Sequence, residues 1–524
     1  MKWTTNKELH FPQISKDIRK LLVILVAAAA LAFGLERVIA ALFYGNDVFF
    51  WGRYAAVFVV LELTALFVCF REVVARKVEV AVLVIILSVG TIYATALPSS
   101  CGISWDDEVH YQYTMLMSHL FNRNITEAES YCMSHFPETA LEHDGYDRES
   151  RKELNEEIDR LQSQHREEME GRIWPRYRNL CYVPMAFGLW LGRLASLPYH
   201  MTFMLGRWCN LLVYAILAYL SIRKLKSGKM IASVITLIPF NIFMASSYSY
   251  DPWMTAWFLY GFCCFFGELQ QPEKKMSVRE WVFMVAAFFI GAGPKLIYIP
   301  LMLLVLFLPK EKYASPRHRK IMMAAAVCVF LVAGVRMLFL FAAPGGETIQ
   351  DVRGGEDVNA MGQISYIFAH PWEYTKLLLG FLADYVSPKS ANYYFSYLHY
   401  FTNLKPTVHS SLMVATLLVV TFTDKSVYDT KIRAVPRIVV YVLSFGVLCL
   451  VATSMYVAFT AVGSGEIQGC QYRYIAPLLF PALYCLGSGN IQNRIKREYY
   501  NGIVLAVCAF VSVHAVWVYG INVY

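Results

Sequence analysis

Apolar runs of about 18–25 residues recur from one end of this chain to the other, and that is the length a helix needs to cross the hydrocarbon core of a bilayer. Backbone N–H and C=O groups in lipid must bond one another, so a spanning chain forms helices or a closed barrel. Barrel strands alternate apolar and polar residues over segments of about ten. Uniform runs such as Leu21–Phe33 exclude that pattern. Of the 524 residues, 57% are hydrophobic and 16% charged, against roughly 25% charged in soluble domains. The fold class is an all-α polytopic membrane protein. The formal net charge of +8 reflects basic cytoplasmic loops, as in other membrane proteins, and gives no support to nucleic-acid binding.

Lys2, Lys7, Lys16, Arg19 and Lys20 place the amino terminus in the cytoplasm by the positive-inside rule. The first apolar run is long and lacks a small-residue cleavage site, so it reads as an anchor. Charge alternation then predicts about 13 spans, near 21–43, 52–70, 78–98, 203–222, 230–247, 253–268, 280–293, 296–309, 321–343, 407–423, 438–462, 474–488 and 500–521. Glu36 and Arg37, inside the first span, are expected to face other helices rather than lipid. Five regions follow: amino-terminal spans (1–98), an extracytoplasmic loop with interfacial helices (99–202), central spans (203–343), a second outer loop lying along the outer leaflet (344–406), and carboxy-terminal spans (407–524). Residues 148–170 alternate acids and bases, as a solvated helix with i,i+4 pairs does. Residues 180–197 are broken by Pro184, Gly188, Gly192 and Pro198 and predict a short helix at the outer surface. The 12 cysteines show no CxxC pair, and a Cys101–Cys132 disulfide is open to an extracytoplasmic loop.

Against this apolar background stands Ser104–Trp105–Asp106–Asp107–Glu108–Val109–His110, directly after the third span. Three consecutive carboxylates at the mouth of a membrane helix are costly to desolvate and mark a functional site. In the predicted topology Asp106, Asp107, Glu108, Asp251, Lys295 and Arg473 all fall on the outer face. Six such groups would rarely share one side by chance.

These features resemble the GT-C class of membrane glycosyltransferases, which take a sugar from a polyprenyl-phosphate carrier. More narrowly, the chain is similar to a bacterial family of polytopic membrane proteins that open with Pro-Asp-Glu-x-x-His and close with Gly-x-Gln-Gly-Arg-Tyr-x-x-Pro. The opening here is Trp105–Asp106–Asp107–Glu108–Val109–His110, with one extra acid. The closing is Gly469–Cys470–Gln471–Tyr472–Arg473–Tyr474–Ile475–Ala476–Pro477, with Tyr472 in place of the second Gly. His370–Pro371–Trp372–Glu373–Tyr374 resembles the family's His-Pro segment. The resemblance begins near residue 80, so the first two spans look like an amino-terminal addition. It implies a GT-C-like bundle with a large first extracytoplasmic loop, in the plasma membrane. It also implies an undecaprenyl-phosphate monosaccharide donor and a cell-surface glycan, teichoic-acid-like polymer or glycolipid acceptor.

Such a transfer needs a base for the acceptor hydroxyl and fixed cations for the leaving phosphate. Asp106 or Asp107 is the expected base, with Glu108 beside them and His110 one turn along. Helix capping is the competing role for the acids. Asp251, before Pro252, would meet the acceptor or cap its own helix. Lys295 and Arg473 are the phosphate candidates, or they snorkel to headgroups. Gln471 would bond sugar or phosphate, and Arg207 is a further candidate for the cluster. Asp106, Asp107 and Asp251 would also suit Mg²⁺ or Mn²⁺ through oxygen ligands. A flippase for lipid-linked sugars and a polytopic acyl or phosphoglycerol transferase are the competing functions. A flippase tends to keep its polar groups at the midplane, and the other transferase leaves the closing motif unexplained. No P-loop, GxGxxG or HExxH pattern is present.

Overall fold

The computed structural model describes residues 11–45, 49–97, 99, 103–122, 124–134, 148–162, 167–168, 171–342, 357–396, 408–424, 433–487, 491 and 493–518. Helices dominate. Among the described residues the β-structure is a two-residue antiparallel ladder, Asn124–Ile125 with Glu167–Glu168.

Four helices open the chain: α1 (Phe11–Phe43), α2 (Trp51–Cys69), the short α3 (Arg71–Arg76) and α4 (Val78–Ala96). Glu36 of α1 is buried and pairs with Arg53 of α2 at 2.9 Å, and it also accepts the Phe50 N–H at 3.0 Å. The inward orientation expected of Glu36 therefore holds. Arg37 differs: it is exposed, because one residue along a helix turns the side chain by about 100°.

The segment after α4 forms a cap over one end of the bundle. It contains α5 (Asp107–Ser118), α6 (Glu127–Ser134), α7 (Arg148–Gln162) and α8 (Val183–Leu194). Tyr111, Met115, Ile158, Leu161, Met185 and Leu189 share one apolar core there with Phe203 and Tyr248. The solvated helix predicted over 148–170 is thus amphipathic. Its exposed face carries the Glu157–Arg160 pair at i,i+3, and its other face buries Ile158 and Leu161. Glu129 bolts the cap together, bonding Arg193 at 3.1 Å while Arg193 also donates to the Ser118 carbonyl at 2.8 Å. Burial alone would raise the Glu129 pKa, but the His119 hydrogen bond and Arg193 outweigh it and hold it down to about 2. Cys132 is a buried free thiol, pushed up to about 12 by desolvation, and Cys101 lies outside the described residues.

The central bundle is α9 (Tyr199–Lys224), α10 (Lys229–Thr236), α11 (Pro239–Ala245), α12 (Asp251–Leu269), α13 (Val278–Ala292) and α14 (Pro316–Ala342). The span predicted over 230–247 is broken at Leu237–Ile238, since Pro239 has no N–H to continue the ladder. The span predicted over 296–309 is a 3-10 run, Leu296–Phe307, with Pro300 inside it. At about 2.0 Å rise per residue its twelve residues still cover about 24 Å. Three short helices follow, α15 (Ala360–Ala369), α16 (Pro371–Tyr385) and α17 (Pro388–Ser396), then α18 (Val408–Thr423), α19 (Ala434–Phe459), α20 (Ala476–Leu486) and α21 (Arg497–Val516). The helix α20 holds Pro481 and is shorter than the span predicted over 474–488. Glu347, Asp351, Arg353, Glu356, Lys425 and Lys431 lie outside the described residues.

Among the described residues, seven helices are long and apolar enough to cross a membrane: α1, α2, α4, α9, α14, α19 and α21. Of the other predicted spans, 253–268 is the unbroken 19-residue α12, and the rest are shorter or interrupted elements. Close approach of α8 to α9 depends on Gly188, where a Cβ would sit 2.6 Å from the Leu205 carbonyl oxygen. The end of the bundle away from the cap collects basic residues in specific contacts. Lys229 pairs with Glu79 at 2.9 Å, and Lys312 is buried against Glu268 at 2.6 Å.

Candidate functional site

The acidic stretch follows directly on α4, and its two aspartates take different jobs. The Asp107 carboxylate is buried and accepts the backbone N–H groups of Ile103 (3.2 Å) and Ser104 (3.1 Å). It closes the turn that leads into α5. Asp106 sits in the left-handed region at φ 54°, which costs an L-residue roughly 1–2 kcal/mol. Its side chain makes no capping hydrogen bond to α5. Instead its Oδ2 meets Arg473 Nη2 at 2.8 Å, across 367 residues of chain.

Arg473 arrives from the closing motif. Gly469, at φ 74°, turns the chain after α19, and a 3-10 turn over Tyr472–Ile475 leads into α20. The guanidinium also meets Asp251 Oδ2 through Nη1 at 3.1 Å and donates to the Trp105 carbonyl at 3.4 Å. Asp251 is the first residue of α12, and its turn is held by Asn210, which donates to the Ser247 and Ser249 carbonyls. The arginine side chain is 1% exposed, Asp251 14% and Asp106 22%. The cation therefore lies beneath two carboxylates that remain reachable from outside.

Two more groups flank this clasp. The Lys295 ammonium lies 3.4 Å from the Tyr474 ring centre and 5.4 Å from that of Tyr250. It forms no ion pair within 4.0 Å among the described residues. His110 is buried and bonds Tyr182 Oη through Nδ1 at 2.9 Å, and its ring meets the edge of Tyr250 at 4.6 Å. Its Nε2 is buried with no hydrogen-bond partner. Burial pushes its pKa down to about 4, against the opposing pull of Asp251 and Asp106, so the ring is neutral near pH 7. Arg473 Nε and Gln471 Oε1 are likewise buried without partners. Buried polar atoms are nearly always satisfied, so several orphans around one clasp are what a site prepared for a polar ligand displays.

The structure thus brings together Asp106, Asp251 and Arg473 by direct contact, with Lys295 and His110 joined to them through Tyr250. Gln471 presents its backbone carbonyl to Tyr385 Oη at 2.6 Å, which ties the motif to α16. Glu108 is half-buried in the first turn of α5. Arg207, expected in the cluster, is fully buried behind the turn, donates weakly to the Leu97 carbonyl at 3.5 Å and lies over Phe203. These two contacts are to the scaffold. His370 pairs with Glu373 at 3.2 Å on an exposed helix start. Tyr182, Tyr250 and Tyr385 are neighbours of the clasp residues that sequence reasoning missed. Tyr250 carried a signal, an aromatic next to a mouth carboxylate, whereas Tyr182 carried none.

The acids named as possible Mg²⁺ or Mn²⁺ ligands each contact protein groups. Arg473 stands between Asp106 and Asp251, and Asp107 is committed to backbone N–H groups. Among the described residues no three His, Cys, Asp or Glu groups converge as ligands.

Fold and site together define an α-helical membrane protein with a charged, aromatic-lined mouth at one end of its bundle. The family described as "Predicted membrane protein (DUF2142)" matches residues 89–481, and the chain belongs to it. The match starts within α4, ends in α20 and includes every residue of the clasp, whereas α1–α3 precede it. No curated protein and no solved structure matches the chain.

Proposed function

We propose that this protein is a GT-C-type membrane glycosyltransferase. It moves a sugar from an undecaprenyl-phosphate carrier to a cell-surface glycan, teichoic-acid-like polymer or glycolipid at the outer face of the plasma membrane. The observation that supports this most is the clasp: two accessible carboxylates over a buried arginine, with an ammonium beside them that has no carboxylate partner within 4.0 Å among the described residues. A neutral ligand would not need that spare cation, and a lipid phosphate would.

In the transfer, the acceptor hydroxyl oxygen bonds the anomeric carbon as the bond from that carbon to the phosphate oxygen breaks. Asp106 receives the hydroxyl proton. The bond electrons leave with the phosphate, whose charge Lys295 and Arg473 stabilise. Asp251 holds the guanidinium in register, and neutral His110 offers Nε2 to the acceptor or the sugar. The aromatic walls of Tyr250 and Tyr474 exclude water and suit a sugar face.

The test is reconstituted transfer with radiolabelled polyprenyl-phosphate sugars and a membrane glycan extract. Wild type is expected to transfer, and Asp106→Asn to lose about 10²–10⁴-fold while remaining folded. Unchanged transfer in Asp106→Asn removes the acid from the mechanism. Movement of the lipid-linked sugar across the vesicle, without transfer, makes the protein a flippase instead.

A further inference from the structure

The four amino-terminal helices frame a cavity of their own. It has a volume of about 340 Å³ and lies between α1, α2 and α4 at the end away from the clasp. Its walls are Ile18 and Leu21 from α1, Leu63 and Phe67 from α2, and Val84 from α4, with Val74 of α3 at the floor. The cavity has a plain structural origin. The chain breaks at Phe70 and Lys77 to insert the six-residue α3, which holds α2 and α4 apart at this end and closes the space between them.

The side chains lining it are all apolar, which suits a hydrocarbon chain. The rim supplies the other half of the recognition. Lys20 stands over the ring of Phe70, which itself lines the cavity, with its ammonium 5.0 Å from the ring centre and 3.1 Å from the Cys69 carbonyl. Arg71 follows Phe70 directly and is exposed. An apolar slot with the Lys20 ammonium at its rim and the exposed Arg71 next to rim residue Phe70, in helices of membrane-spanning length, complements an acyl chain attached to a negative headgroup.

We propose that this slot is a binding site for one anionic glycerophospholipid of the bilayer, its acyl chain between α1 and α4 and its phosphate at Lys20 and Arg71. The site is separate from the clasp and does not depend on the transfer chemistry.

The test is native mass spectrometry of the purified full-length protein with added phosphatidylglycerol or phosphatidylcholine. Wild type is expected to retain phosphatidylglycerol preferentially. Lys20→Ala with Arg71→Ala is expected to lower that preference roughly thirtyfold, from two surface cations worth about 1 kcal/mol each. Val84→Trp and, from the opposite wall, Leu21→Trp are each expected to abolish retention by filling the slot. Val60→Trp, an exposed position on α2 outside the slot, is expected to leave it intact. Equal retention of the two lipids overturns the proposal. So does retention that survives both slot-filling variants, or a polyprenyl phosphate retained in place of the phospholipid.

Discussion

Replacing Arg473 with alanine removes a cation that touches both Asp106 and Asp251. The guanidinium side chain is 1% exposed and its partners are 22% and 14% exposed, so the two carboxylates lose their counter-ion in a largely desolvated setting. Deleting one partner of a buried pair costs about 3–5 kcal/mol, most of it the charge left behind. The same reasoning makes a compensated variant far milder. Arg473→Met combined with Asp106→Asn and Asp251→Asn removes every charge of the clasp, and neutral replacement of a whole buried pair is often near zero in cost. Asn is also well suited to φ 54° at position 106. Reversible unfolding in mixed micelles would measure both, with Arg473→Ala expected to lose about 3–5 kcal/mol and the triple variant under about 1.5 kcal/mol. The reasoning fails if Arg473→Ala loses less than about 1 kcal/mol, the scale of an exposed pair, or if the triple variant is as unstable as the single one.

Asp107→Asn keeps an acceptor for Ile103 and Ser104 and should change stability by no more than about 1 kcal/mol, whereas Asp107→Ala leaves two buried N–H groups unpaired at about 1–3 kcal/mol each. In the transfer assay Asp107→Asn should stay within a few-fold of wild type, in contrast to Asp106→Asn. His110 has a folded pKa near 4 against an ordinary 6.5, so the unfolded chain takes up its proton first as pH falls. Stability is therefore fully present above about 6.5 and declines toward pH 4, by about 3 kcal/mol from this group; thermal melts of His110→Gln should lack that slope, and an unchanged slope would exclude His110 as its source. Gly188→Ala drives a Cβ to 2.6 Å from the Leu205 carbonyl oxygen and 2.8 Å from Gly206 Cα, both backbone atoms, and should cost about 1–3 kcal/mol in the same unfolding assay.

Much of this fold is legible in the sequence because lipid imposes one rule on every span. The predicted limits 52–70 and 78–98 agree within two residues with α2 and α4. Charge alternation also anticipates the convergence of Asp106, Asp251 and Arg473 at one end. What it misses is how apolar segments are built, since a uniformly apolar run has no face to betray its period. The break before Pro239 and the 3-10 run around Pro300 are of this kind, with proline as the local clue to each. The division of labour between Asp106 and Asp107 was hidden for a different reason. It rests on a single backbone angle, and neighbouring identical side chains give no hint of which one points into the turn. Tyr182 reaches His110 only after the cap folds back across 72 residues, a contact no local pattern announces.

The clasp also sets a clock on the birth of the protein. Asp106 is made 367 residues before Arg473, and at about 5–20 residues per second the ribosome takes roughly 20–70 s to cover that distance. Through that interval Asp106, joined by Asp251 after 145 residues, waits at the membrane mouth without the Arg473 guanidinium. Both acids must remain hydrated, so the mouth stays open to water until the closing motif is inserted. A chain released before residue 473 would carry the acids but not the cation that organises them. Completion of the centre is thereby reserved for molecules that have been synthesised at least as far as residue 473.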